Sequence, residues 1–98
     1  MNREFCLRIG YDAVVIADKV ICVAPAESGP ARRSAQEAKR EGRLVDATAG
    51  RRARSNIHME GSLLVLSALT PETLKLRLNG EATPADADLE PTGENGDE

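Results

Sequence analysis

Turn-forming residues cut this chain into short pieces, and that limits its fold before any other property is weighed. Gly10, Pro25, Gly42, Gly50, Gly61, Pro71 and Gly80 interrupt the sequence, and the apolar runs between them span only a few positions. Pieces of that length make short strands and short helices; a membrane span needs about 20 consecutive apolar residues. At 98 residues the chain has room for one domain. Its only aromatics are Phe5 and Tyr11, so the core must come from Val, Leu, Ile and Ala. A domain of this size buries only roughly 60–65 % of its unfolded surface, which makes association with further copies a natural way to bury more.

The pieces read in order as follows. Phe5 to Ile9 alternate apolar and polar, as a half-buried strand does. Gly10-Tyr11-Asp12 is a turn signal. Ala13–Ile16 and Val20–Ala24 are β-branched runs on either side of Ala17-Asp18-Lys19, which predicts a hairpin there. Ser28-Gly29-Pro30 opens a helix that runs to Glu41 and stops at Gly42, with a thin apolar stripe of Ala31, Ala35 and Ala38. Leu44–Ala47 and Ser55–Met59 read as strands, and Ser62–Leu69 as a central, two-sided one. Thr70-Pro71-Glu72 is a strong helix start, Leu74 and Leu78 share one face of that helix, and Leu76 points elsewhere. The predicted fold is α+β: a small, mainly antiparallel sheet with two helices over residues 1–80, followed by a disordered acidic tail over residues 81–98.

Catalytic chemistry finds little material. His58 is the only histidine and has no Cys, Asp or Glu at ligand spacing, so a structural or surface role is expected. No glycine-rich phosphate loop is present, and no cofactor or metal is implied. Cys6 and Cys22 lie inside apolar runs without CxxC spacing and read as small buried hydrophobes. The start of the chain lacks the apolar core and cleavage site of a signal peptide, and the expectation is a cytoplasmic, non-enzymatic protein.

Charge is more informative. Of the 16 acids, nine precede Glu81 and seven follow from it, whereas all 13 Lys and Arg lie between Arg3 and Arg77. Residues 1–80 therefore carry 13 − 9 = +4 and residues 81–98 carry −7. A basic body beside an acidic tail is a pattern of polyanion binders, although solubility alone also accounts for such a tail. Arg51, Arg52 and Arg54 crowd into four residues, with no acid from Ala47 to Met59. Neighbouring like charges repel unless an anion or solvent screens them, and the guanidinium fork matches phosphate oxygens bidentately. At the mouth of a hairpin, Arg52 and Arg54 would point to one side and Arg51 to the other, straddling a phosphate backbone. The alternative is a solvated turn, or arginines paired with Glu37, Glu41 or a neighbouring subunit's acids. Single-strand readers need exposed aromatic platforms, so duplex contact fits this composition better.

Three ordered motifs resemble the RemA family, the extracellular matrix regulatory proteins. They are Ala17-Asp18-Lys19-Val20-Ile21 with Val23-Ala24-Pro25-Ala26-Glu27-Ser28; Asp46-Ala47-Thr48-Ala49-Gly50-Arg51-Arg52-Ala53-Arg54; and Ser67-Ala68-Leu69-Thr70-Pro71-Glu72-Thr73. The resemblance spans Val15–Leu78, roughly two-thirds of the chain. It implies a bacterial, nucleoid-associated transcriptional regulator, tied to the biofilm matrix, that assembles into rings and bends or wraps duplex DNA along a repeated basic surface. It further implies DNA contact through Arg51, Arg52 and Lys19. The charge pattern itself adds Arg54 in support and Arg32 and Arg33 as an extension of the patch. The family has Arg where Lys19 stands, and larger aliphatics where this helix has Ala31, Ser34, Ala35 and Ala38. The acidic tail does not come with the resemblance; the expectation is that it competes with DNA for the arginines. A different class, an oligomeric scaffold binding acidic protein partners, also fits the arginines, as does an RNA binder.

Overall fold

The first turn is a two-residue connection, with Gly10 opposite Ala13. Tyr11 and Asp12 both take left-handed backbone angles, φ 54° and 68°, and join β1 (Cys6–Gly10) to β2 (Ala13–Ile16). Asp tolerates that region through its short polar side chain; Tyr adopts it at a cost of about 1 kcal/mol. β1 and β2 pair antiparallel, Leu7 opposite Val15, as a separate two-stranded sheet. The computed structural model describes residues 6–80; the disorder expected from Glu81 onward falls outside them.

The hairpin expected across Ala17-Asp18-Lys19 does not form. Those residues make one 3-10 turn that carries the chain out of the first sheet and into a second. There β3 (Val20–Pro25) pairs antiparallel with β5 (Ser55–Met59), more than thirty residues later, and not with β2. The second sheet has the order β3-β5-β6-β4, where β4 is Leu44–Asp46 and β6 is Leu64–Ser67. β5 and β6 are antiparallel, while β4 runs parallel to β6. The predicted central strand is central, although its regular part is shorter than Ser62–Leu69. Pairing is mainly antiparallel, as expected, but divided between two sheets.

Both helices start where their capping residues place them. α1 (Gly29–Arg40) is capped by Ser28, whose Oγ accepts from the Ala31 amide at 3.1 Å. α2 (Pro71–Leu78) is capped by Thr70, which accepts from the Thr73 amide at 3.3 Å. Each such cap contributes about 1 kcal/mol. The thin alanine stripe of α1 does face inward, with Ala31 and Ala38 buried and Ala35 half-buried. Leu7, Ile9, Ile57, Met59, Val65, Leu69 and Leu74 form the core between the sheets and α2, all aliphatic or thioether as the composition required. Leu78 departs from the expected pairing with Leu74: Leu74 is fully buried, whereas Leu78 is 40 % exposed. The two thiols depart as well. Cys6 and Cys22 are both free and exposed: Cys6 lies on the outward-facing phase of β1, and Cys22 follows exposed Ile21 at the register irregularity of edge strand β3.

Candidate nucleic-acid interface

The loop from Ala47 to Arg54 bridges the end of β6. The Ala47 amide donates to the Leu66 carbonyl at 3.0 Å and the Arg54 amide to Ser67 at 2.8 Å, so both feet of the loop stand on the last residues of that strand. β4 and β5 flank β6 and do not pair with each other. The arginines therefore do not stand at the mouth of a hairpin. The expected arrangement, with Arg52 and Arg54 on one side and Arg51 on the other, gives way to one set by the bridge.

Asp46 builds that bridge. Its Oδ1 accepts from the Thr48 amide at 3.0 Å and from the Thr48 hydroxyl at 2.7 Å, and Thr48 is buried. The Thr48 carbonyl then accepts from the Arg51 amide at 3.0 Å. Ala49 and Gly50 pass through the left-handed region, φ 56° and 82°, which glycine adopts without penalty. The sequence Asp-Ala-Thr-Ala-Gly is thus a folding instruction for a tight loop, and the arginines are what the loop presents.

Arg51 and Arg52 then part. The Arg51 guanidinium lies 4.4 Å from the centroid of the Tyr11 ring, well inside the ~6 Å reach of a cation–π contact. Its Nη1 also donates to the Ala49 carbonyl at 3.3 Å. Arg52 reaches the other way, its Nη2 3.2 Å from Glu27 Oε2, with 68 % of its side chain exposed. Arg54 is half-buried, and its backbone is engaged on both sides, by Ser67 and by the Ala26 amide. Tyr11 and Glu27 are members of this site that the sequence did not reveal. Gly10-Tyr11-Asp12 signalled a turn, but nothing local said which loop the turn would face.

Arg32 and Arg33 join the same end of the molecule. Asn56, the second residue of β5, donates from Nδ2 to the Ala31 carbonyl at 3.0 Å, which fixes the start of α1 beside the arginine loop. Both arginines are exposed there. α2 begins here too, since Ser55 Oγ donates to the Leu69 carbonyl at 2.7 Å, one residue before its cap. Two helix N-termini, each equivalent to roughly half a positive charge, therefore lie beside the loop. Lys19 does not. It precedes Val20 at the far end of β3 and lies 3.8 Å from Glu60. At about 3.3 Å per residue, the ends of β3 are on the order of 16 Å apart. Within one subunit the structure brings together Arg51, Arg52, Arg54, Arg32 and Arg33, and leaves Lys19 apart.

Among the described residues no helix is long and apolar enough to cross a membrane, and no group of His, Cys, Asp and Glu could hold a metal ion. What the fold and the loop define is a class: small α+β proteins with a braced, arginine-bearing bridge at one end of a four-stranded sheet. The family model for RemA-like proteins, described as extracellular matrix regulatory protein A-like, matches residues 6–78, and the chain belongs to that family. A relative from Coprothermobacter proteolyticus that bears the name of a regulatory protein is 47 % identical over 75 residues, covering 76 % of this chain and 71 % of its own. One from Halothermothrix orenii, similarly named, is 44 % identical over 75 residues, covering 76 % and 89 %. A third, from Bacillus cytotoxicus, is 43 % identical over 75 residues, covering 76 % and 86 %. The family is thus one of regulatory proteins.

Proposed function

We propose that this chain is a transcriptional regulator of the bacterial cytoplasm that assembles into rings and holds duplex DNA by its phosphates. One observation carries the reading: Arg51 and Arg52 are displayed on a loop whose internal bonds already fix its shape, at the end where both helices begin. Pre-organisation of this kind lowers the entropic cost of gripping an anion. Arg54, half-buried, supports the loop, and Arg32 and Arg33 widen the basic surface. Contact of this type reads backbone and shape more than base edges. Tyr11 is engaged beneath Arg51, which disfavours its use as a platform for single-stranded bases.

Ring assembly draws support from the sheet. β3 and β4 are its two edges, on opposite sides, and each carries an exposed β-branched residue: Ile21 at 65 % and Val45 at 45 %. A head-to-tail interface between unlike edges generates closed rings when the rotation closes. Lys19 then serves DNA from a different place along the ring than Arg51 and Arg52 of the same copy. A ring multiplies weak contacts through effective concentration, so few arginines per subunit suffice.

Band-shift titration of the full chain against Arg51→Ala/Arg52→Ala tests the mechanism. Removing two charge-assisted hydrogen-bonding groups, about 3 kcal/mol together, predicts roughly a hundredfold weaker binding. The log–log salt slope should also flatten by about 0.9 for every phosphate that is no longer neutralised. Equal affinity in both proteins sinks the reading. The Arg52–Glu27 pair favours one second reading, a scaffold whose arginines take acidic segments of a protein partner. That alternative predicts no shift of duplex DNA by either protein, and an RNA binder predicts that RNA wins in direct competition. Sedimentation with and without duplex reports assembly.

A further inference from the structure

We propose that Cys22 and His58 form a thiol-exchange site, at which Cys22 takes a low-molecular-weight thiol in mixed-disulfide linkage and His58 is the base that accepts its proton. The two residues are distant in the sequence, and the fold makes them partners. β3 and β5 run antiparallel with Cys22 directly opposite His58. A bulge sets that pairing. Val20 lies opposite Met59 and Cys22 opposite the adjacent His58, so Ile21 is an extra residue without a counterpart on β5. Val20 and Val23 pack against the core with Ile57 and Met59, which leaves Cys22 and His58 on the other face of the sheet. α1 covers that face at Asn56, which donates to the Ala31 carbonyl, but Cys22 stays exposed and His58 half-buried. Residues directly opposite in an antiparallel pair have Cβ atoms about 4.5–5.5 Å apart, so a rotation about χ1 of Cys22 brings its sulfur within reach of the imidazole.

Both side chains open into one depression of about 720 Å³, rimmed by Glu41, Arg43 and the turn at Gly61–Leu63. That is the size of a small-molecule site. Arg43 is held there by Glu41 at 2.6 Å and by the Ser62 carbonyl at 3.0 Å, and the ion pair leaves the rim near charge balance, so an anionic disulfide is not repelled. The thiolate is the attacking species in exchange, and an imidazole is the side chain suited to take a thiol proton near neutral pH. As the Cys22 sulfur attacks one sulfur of a small disulfide, its proton passes to His58. A new S–S bond forms, the S–S bond of the small disulfide breaks, and the leaving thiolate collects the proton and departs as a thiol. The small disulfide is the oxidant. Cys6 supplies an internal contrast. It is also free and exposed, with Arg8 two residues along on the same face, but Ile16 lies opposite it, so charge is at hand and no base faces it.

The test incubates the full chain with oxidised glutathione at neutral pH, quenches with acid, and reads both cysteines of the same molecules by peptide mass mapping. The expected result is modification of Cys22 at least about tenfold faster than Cys6, with the difference gone in concentrated urea. In His58→Ala the Cys22 rate should fall about tenfold while the Cys6 rate holds, and free imidazole added to the buffer should restore most of the loss. A Cys22 rate equal to or below that of Cys6 in the folded parent overturns the proposal, and that comparison needs no variant. A preference that survives urea overturns it too, because the cause is then the local sequence and not the pairing of β3 with β5. An unchanged Cys22 rate in His58→Ala, with circular dichroism showing the variant folded, removes His58 as the base. A loss that imidazole does not restore also overturns that assignment, since it marks a structural effect of the substitution.

Discussion

The two ends of the four-stranded sheet carry cations in different ways. At the end where β3 and β4 finish, Arg51 and Arg52 stand on a loop fixed by Asp46 and Thr48, and their side chains rest on an aromatic ring and one exposed carboxylate. At the end where those strands begin, Lys19 faces Glu60, and Arg43 is clamped by Glu41 at 2.6 Å and by the Ser62 carbonyl at 3.0 Å. Both ends give their cations internal partners, Arg52 at 3.2 Å from Glu27 and Lys19 at 3.8 Å from Glu60. What sets the arginine end apart is the loop beneath its cations, whose backbone Asp46 and Thr48 hold. The proposed anion-binding end is thus distinguished from the other by its braced loop and not by charge content alone.

The sharpest way to break this contrast is to cut the brace. Asp46→Ala removes the acceptor of two hydrogen bonds to a buried threonine and should cost about 2 kcal/mol of stability. Chemical denaturation checks the stability. Duplex affinity should fall as well, although both arginines remain; affinity equal to the parent protein shows that the loop's shape is irrelevant to binding. A smaller effect is expected from Tyr11→Leu, which keeps bulk and removes the ring beneath Arg51. A partly exposed cation–π contact is worth about 0.5–1 kcal/mol, or roughly three- to fivefold in affinity, and Tyr11→Phe should restore it. The smallest effect belongs to the far end. Glu60→Gln removes an exposed partner of Lys19 and should change the unfolding free energy by no more than about 0.5 kcal/mol. If Lys19 serves DNA, the same change should tighten binding by about twofold; no change places that end outside the contact.

Much of this arrangement was legible in the sequence, and the unread parts share a cause. Both helix starts, the turn at Gly50 and the approximate place of each strand follow from local chemistry that any window of residues displays, although β6 is shorter than the expected Ser62–Leu69. The resemblance picked out Asp46-Ala47-Thr48 as a signature, and its physical content is the hydrogen bonding of Asp46. What the sequence misplaced depends on partners distant in the chain. Ala17-Asp18-Lys19 looks like a hairpin turn until β3 finds β5, and only then does Lys19 move away from the arginines. The parallel pairing of β4 with β6 turns the arginine segment into a bridge. The exposure of Cys6 and Cys22 escapes a local reading because an apolar run in an edge or two-stranded sheet has an outer face.

Because α1 and α2 both begin beside the arginines, the subunit would behave as a compass needle in the field of the polyanion proposed as its partner. Torque on such a dipole acts at separations where no individual contact exists, and it turns the arginine end forward before collision. Lys39, Arg40, Lys75 and Arg77, in the last turns of the helices, offset the opposite pole. If the chain binds DNA as proposed, encounters would be biased toward productive orientations, and the on-rate would gain what the small contact area of one copy cannot supply.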